Sequence, residues 1–183
     1  MGAQEDFSIH SSTVLFASAV NNDGVLESNL KRSPDIHENV YSLTIQRGYT
    51  SASHAYNAAI RESRIADWIV FAHQDVFLPQ GWTERLLSNI RVLLSNKKKV
   101  AVIGTFGITA EGKHVGRSWS VGLGKEIGQP LSEPTPAVSV DEMVIVLNMK
   151  AGLTFDEDLP GFHLYGTDIV RMAIARGWGA YVI

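Results

Sequence analysis

The chain of 183 residues has no cysteine. Disulfides, thiolate metal sites and a cysteine nucleophile are therefore excluded, and a reducing compartment such as the cytoplasm is expected. It also has no surplus of positive charge: the formal net charge is -3, so the electrostatic footprint of a nucleic-acid binder is missing. The only basic run, Lys97, Lys98 and Lys99, follows an apolar helical pattern and reads as a set of dipole partners at a helix C-terminus. No stretch approaches the ~20 apolar residues that a membrane span requires. The N-terminal Met1-Gly-Ala-Gln-Glu-Asp6 is acidic and polar, unlike a secretory signal, and Asp6 stands where N-myristoylation needs Ser or Thr. Internal repeats and low-complexity linkers are absent as well.

What remains is ordinary globular composition, with 45% hydrophobic and 19% charged residues, which argues for a packed domain rather than disorder. The length predicts one domain over residues 1–183. The chain stops inside an apolar run, Gly179 to Ile183, which reads as a truncation at the C-terminus.

Strand-like segments are expected at Thr13–Val20, Asn39–Ile45, Trp68–Ala72 and Val100–Phe106. Between them lie helical patterns. The first is short, Leu26–Lys31, stopped by Ser33-Pro34. The second starts at a Ser51 or Ser53 cap and carries a small-residue face of Ala52, Ala55, Tyr56, Ala59 and Ile60. The third runs from about Gly81 to Ser95 with Trp82, Leu86, Ile90, Leu93 and Leu94 as its buried stripe. This β-α-β-α-β-α-β order predicts an α/β fold with a largely parallel central sheet and helices on both faces. A glycine-studded stretch from Gly104 to Gly128, followed by Pro130, Pro134 and Pro136, predicts long loops or a loose hairpin over the carboxyl edge of that sheet. Val140–Leu147 returns to strand pattern. Thr167 is expected to cap a last helix, Asp168–Arg176, with Gly177 just past its end, before a final strand from Gly179.

The most informative segment is Trp68-Ile-Val-Phe-Ala-His-Gln-Asp75-Val-Phe-Leu-Pro79. A buried strand breaks abruptly into His73, Gln74 and Asp75. Ligands of open α/β sheets bind just beyond the carboxyl ends of the strands, so an imidazole and a carboxylate stand where such folds keep their chemistry. The competing reading makes Asp75 a helix cap and His73 an edge histidine.

Several blocks in order resemble the nucleotide-sugar glycosyltransferases of the GT-A fold, in particular bacterial proteins related to glycosyltransferase family two. They are Ser51-Ala-Ser-His-Ala-Tyr-Asn57, Ile69 to Val76, Gly81-Trp82, Val140-Asp141-Glu142, Leu153 to Glu157, and Gly161-Phe-His-Leu-Tyr-Gly-Thr-Asp168-Ile. The resemblance spans about Val14 to Ile183. It implies a Rossmann-like GT-A domain that binds a nucleotide-diphospho-sugar with Mn²⁺ or Mg²⁺ and transfers the sugar, with inversion, to a glycan, lipid-linked or protein acceptor. Asp75 matches the last acid of the family's Asp-x-Asp motif, the metal ligand, while His73 replaces the first. Asp168 matches the surviving member of a late acidic pair that supplies the general base, and Gly166 stands where the other acid is often found.

By this resemblance, the donor lies against Ser18 and Asn22 at the end of the first strand, with Asn57, His73 and Asp75. His163 is a candidate second metal ligand. Asp141 is expected to face the acceptor, and Lys113 and Arg117 are either phosphate partners or solvated lid charges. For His54 a surface position is expected, and for Asp156 to Asp158 a solvated turn. The degenerate motif keeps a second class open: a non-catalytic nucleotide-sugar or glycan-binding module. A nucleotidyltransferase is disfavoured, because no glycine-rich phosphate loop with a partnered Lys lies near the first strand.

Overall fold

The computed structural model describes residues 12–63 and 65–183; the N-terminal Met1–Asp6 stretch lies outside them. A seven-stranded sheet forms the centre, in the order β2-β1-β3-β10-β4-β11-β8. Its first three strands are β1 (Val14–Val20), β2 (Leu43–Arg47) and β3 (Trp68–Ala72). They run parallel, with Phe16 opposite both Leu43 and Val70. Parallel neighbours need a crossover. The crossover from β1 to β2 runs through α1 (Asp23–Ser28), a 3-10 turn and the short α2 (Pro34–His37), and that from β2 to β3 is the helix α3 (Ala52–Glu62).

After β3 the helix α4 (Trp82–Ser95) leads to β4 (Val100–Gly104). The chain then leaves the main sheet. The strands β5 (Phe106–Ile108), β6 (His114–Ser120), β7 (Lys125–Gln129) and β9 (Ser139–Val140) build a second, antiparallel sheet in the order β7-β6-β5-β9. The strand β8 (Thr135–Pro136) pairs at the edge of the main sheet. The chain re-enters the centre as β10 (Val144–Asn148), passes through α5 (Tyr165–Ala175), and ends in β11 (Gly179–Val182).

The central sheet is mixed rather than uniformly parallel. β10 lies antiparallel to both of its neighbours, with Val146 opposite Val70 and Ile103. The reason is connectivity: β5 continues from β4, β9 returns antiparallel to β5, and β10 follows it back into the main sheet in that reversed direction, with no crossover helix to turn the chain around. β11 restores the parallel direction beside β4, with α5 as its crossover.

Two cores cover the two faces of the sheet. On β3, Ile69 and Phe71 point to one side and Trp68, Val70 and Ala72 to the other, the two-residue period of a strand buried on both faces. The first side meets α3 and α5 through Ala55, Tyr56, Ala59, Ile169, Val170 and Ala173. The second side meets α1 and α4 through Leu26, Leu86, Ile90 and Leu93. The alanine face of α3 is what lets that helix approach so closely that Tyr56 and Phe71 stack with ring centroids 4.6 Å apart.

Two expectations need correction. The glycine-rich segment is built into a sheet, not loosely packed. At Gly128 the backbone takes φ 78°, and a Cβ there would stand 2.0 Å from the carbonyl oxygen of Gly116; Gly116 and Gly128 mark close approach of β6 and β7, while Gly112, Gly122 and Gly124 lie in open turns. The last helix begins at Tyr165, three residues before Asp168, behind Leu164 in the left-handed region at φ 69° and without a side-chain cap. Thr167 does not cap it, because its hydroxyl is paired with that of Ser139 at 2.7 Å. Burial of Tyr165 against Tyr56 and Phe155 sets the helix start instead.

Candidate functional site

The carboxyl ends of β1 and β3 are clamped together by Gln74. Its Oε1 accepts from the backbone N–H groups of Asn21 and Asn22 at 3.1 and 3.0 Å, and its Nε2 donates to Asn21 Oδ1 at 2.6 Å. The middle residue of the His73-Gln74-Asp75 tripeptide is thus structural. The clamp leaves His73 half-buried on the inner side and Asp75 exposed.

His73 is fixed by β10 and α5. Its backbone N–H donates to Met143 O at 3.0 Å, and its Nε2 lies 2.6 Å from the Tyr165 hydroxyl. That hydroxyl donates to Glu142 O at 3.2 Å. A carbonyl only accepts, so the imidazole donates from Nε2 and keeps Nδ1 as an acceptor. Burial pushes the Tyr165 hydroxyl far above the ordinary phenol range, with Tyr56, Glu142 and Asp141 adding to the shift. Burial likewise raises Tyr56; Glu142 and Asp75 add to it, and the bond with Tyr165 opposes it. Both phenols remain neutral, and three carboxylates, Asp75, Asp141 and Glu142, act on this pair.

Glu142 Oε1 accepts from the Gly166 N–H at 3.4 Å, at the N-terminal turn of α5 where the helix dipole favours an anion. Gly166 is pinned there: a Cβ would stand 2.5 Å from Val140 O and 3.0 Å from Glu142 Cγ. The missing acid of the late pair therefore has no room in this fold. Gly166→Ala is expected to destabilise the chain by about 1–3 kcal/mol, the usual cost of overpacking a filled site, measured as a lower urea midpoint at unchanged slope.

Asp168, one turn into α5, is half-buried. Its Oδ2 is buried with no hydrogen-bond partner among the described residues. Burial pushes its carboxyl above the usual carboxylate range, Asp156 adds to the rise, and Arg171 opposes it. Ser18, fully buried on β1, has an equally unpartnered Oγ. Orphaned buried polar atoms are rare and call for a specific reason; here two of them fall on residues that the family resemblance points to.

Asn22 and Asn57 are engaged within the protein. Asn22 Oδ1 accepts from Val25 N–H at 3.1 Å and caps α1. Asn57 Nδ2 donates to Phe155 O at 2.9 Å and to Glu157 Oε1 at 3.0 Å, and its Oδ1 accepts from Phe155 N–H at 2.9 Å. It ties α3 to the loop after β10. His163 is exposed on the turn before α5. His54 is exposed, with Nδ1 2.8 Å from Ser51 Oγ. Arg117 is paired with Glu126 across the β6–β7 hairpin, and Lys113 is exposed. The Asp141 carboxylate accepts from Met143 N–H at 2.9 Å.

Among the described residues no group of three His, Cys, Asp or Glu side chains could cage a metal ion. Mg²⁺-like cations take one or two protein carboxylates and complete their shell with phosphates and water. The exposed Asp75, engaged in none of the ion pairs of the described residues, fits a cation delivered with a diphosphate and not a cation alone. Sequence inspection overlooked Tyr56, Tyr165 and Gln74, because an aromatic core position and a loop amide carry no chemical signature until the fold brings their polar ends to one edge. A groove of about 460 Å³ lies away from this cluster, along the outer strand β2, lined by residues including Lys31, His37 and Tyr41.

No protein-family model and no curated protein matches this sequence. Solved structures do. A197 from STIV superposes with a TM-score of 0.56 at 11% identity, covering 93% of this chain and 81% of that one. S. aureus TarS 1-349 gives 0.56 at 11% identity, covering 93% and 58%. GalNAc-T7 with UDP, GalNAc and Mn²⁺ gives 0.56 at 9% identity, covering 94% and 42%. The fold is GT-A-like. The chain spans little more than half of TarS 1-349 and less than half of GalNAc-T7, and at these identities the likeness is one of fold.

Proposed function

We propose that this chain is a glycosyltransferase-like domain. It binds a nucleotide-diphospho-sugar with Mn²⁺ or Mg²⁺ and transfers the sugar to an acceptor hydroxyl of a glycan, a lipid-linked sugar or a protein, with inversion. The observation that carries this reading is the polar cluster of His73, Tyr165 and Glu142 beside the exposed Asp75, at the strand ends where α/β folds bind ligands. The shared fold with a protein solved with UDP, GalNAc and Mn²⁺ supports the ligand class.

In this reading Asp75 anchors the cation, with His163 as the candidate second ligand. The cation compensates the charge of the leaving diphosphate. His73 offers Nδ1 to a donor hydroxyl, and Ser18, buried near the end of β1, lies beneath the nucleoside. Asn22 and Asn57 hold the frame around the donor. Asp168 takes the acceptor proton. Its carboxyl is raised by burial, which strengthens it as a base near neutral pH.

A second reading, a non-catalytic nucleotide-sugar or glycan-binding module, is favoured by the packing of Gly166, which leaves no space for a second acid. Thermal unfolding with a panel of nucleoside diphosphates, each with and without Mn²⁺, tests the donor site common to both. Ligand at ~100 times its dissociation constant adds about 2.7 kcal/mol, a rise of roughly 5–10 °C for a domain of this size. Mn²⁺ alone is expected to leave Tm unchanged, and no response to any diphosphate would overturn both readings.

A further inference from the structure

Several of the exposed large apolar side chains lie at the carboxyl edge of the sheet. Tyr49 follows β2, Phe77 follows β3, and Phe162 and Leu164 precede α5. Three more, Trp119, Val121 and Leu123, exposed to 60%, 86% and 64%, cluster at the end of the β6–β7 hairpin. The base of the hairpin touches the body beside the site. Ser118 Oγ lies 3.5 Å from Met143 Sδ, and Met143 O receives the backbone N–H of His73. The tip stands clear of the body: a Cβ added at Gly122 or Gly124, the residues on either side of Leu123, would meet nothing within 4 Å.

Three side chains on a narrow tip expose too little area for a stable protein interface, which takes about 800 Å² from each partner. They do suit a bilayer surface. A tryptophan sits at headgroup depth, and a few aliphatic side chains beyond it enter the acyl boundary. The flanking charges agree. Arg117 is paired with Glu126, while Lys125, beside the tip, is exposed and takes part in none of the ion pairs of the described residues. The hairpin therefore carries a net positive charge next to its apolar end, complementary to anionic headgroups. No helix among the described residues is long and apolar enough to cross a membrane, so such contact would be peripheral.

We propose that the β6–β7 hairpin is a membrane-contact element, inserting Val121 and Leu123 into an anionic lipid surface with Trp119 at the headgroup level. Its place next to the His73–Tyr165 cluster would bring the candidate site to the lipid surface. The proposal does not depend on the donor reading, since the hairpin binds lipid whether or not the site turns over.

The test is co-sedimentation of the full chain with vesicles of 3:1 phosphatidylcholine to phosphatidylglycerol, and with phosphatidylcholine alone, at low and high salt. Trp119 fluorescence is followed in parallel, with Trp119→Phe as the blank that isolates its signal from the other tryptophans. Binding to the anionic vesicles, a blue shift confined to Trp119 and weakening by salt are expected. Val121→Ser/Leu123→Ser should reduce binding by roughly tenfold or more with unchanged Tm, because both side chains are already in water. Lys125→Glu should weaken binding at low salt only. Absence of vesicle binding, equal binding by the double variant, or self-association lost in the double variant without any lipid binding would each overturn the proposal. Nucleoside diphosphate binding, measured separately, reports on the donor site.

Discussion

Asp168→Asn is expected to lower turnover by roughly 10²–10⁴-fold, the usual worth of a positioned general base, while donor binding stays unchanged. Turnover is read as nucleoside diphosphate release from whichever donor stabilises the chain. The expectation rests on an oxygen, Oδ2, that is buried without a partner, and on a carboxyl held above its ordinary range by burial and by Asp156. Two further results follow. The acidic limb of the rate profile should report this carboxyl, and Asp156→Asn should move that limb to lower pH, since one source of the rise is removed.

Stability should respond in the opposite sense to activity. A carboxyl whose folded value is raised binds its proton more tightly in the native state. Stability is then lost as pH climbs from the ordinary aspartate value through the raised one. Asp168→Asn should therefore unfold at a higher temperature than the natural chain at neutral pH, with the gap narrowing in acid. Such a gain in stability with a loss of activity is the mark of a functional group that the fold tolerates at a cost. Glu142→Gln is the control. If it abolishes turnover and Asp168→Asn does not, the base is Glu142, whose carboxylate meets the Gly166 N–H at the start of α5. If neither variant changes turnover, the base is another group; if the natural chain releases no nucleoside diphosphate from a donor that it binds, the binding-module reading moves ahead.

Asp75→Asn is expected to remove the whole Mn²⁺-dependent part of nucleotide binding, up to the roughly 5–10 °C of thermal stabilisation that a saturating diphosphate provides. The fold should be unaffected, because Asp75 is exposed and outside the ion pairs of the described residues. A hard cation bound by one or two carboxylates and a diphosphate cannot be held when an amide replaces its anionic ligand. Titration calorimetry with and without metal distinguishes this from a general loss of affinity. Identical metal dependence in the natural chain and the variant would remove Asp75 from the site.

The packing around His73 suits an imidazole better than the carboxylate that the resemblance would place there. A carboxylate at that position would lie next to a buried phenol whose oxygen already donates to Glu142 O and has no second proton to give. The imidazole supplies the missing donor through Nε2 and retains an acceptor at Nδ1. The departure from the motif and the presence of Tyr165 thus belong together, and no reading of the tripeptide alone would have paired them.

The strands and helices that the sequence displayed clearly are those where one physical signal dominates. β3 is apolar throughout and ends in a run of polar residues. α3 has its alanine face and α4 the buried stripe of Leu86, Ile90 and Leu93, although Leu94, expected in that stripe, is exposed, and each formed close to its expected range. The α/β class and the position of Asp75 at a strand end follow from such local patterns, because burial on one or both faces leaves its period in the chain. Tertiary structure decided the rest. The direction of β10 was set by the return of the chain through β9, antiparallel to β5, and the start of α5 by the burial of Tyr165 rather than by a cap. In the glycine-rich segment Gly107, Gly116 and Gly128 sit where backbones approach too closely for side chains, while Gly112, Gly122 and Gly124 sit in open turns, a difference that a count of glycines cannot show. The polar cluster joins residues just past β3, in α3, just before β10 and in α5, which lie far apart along the chain. Hydrogen bonds and burial across such separations depend on which elements pack together, and composition and period do not encode that choice locally.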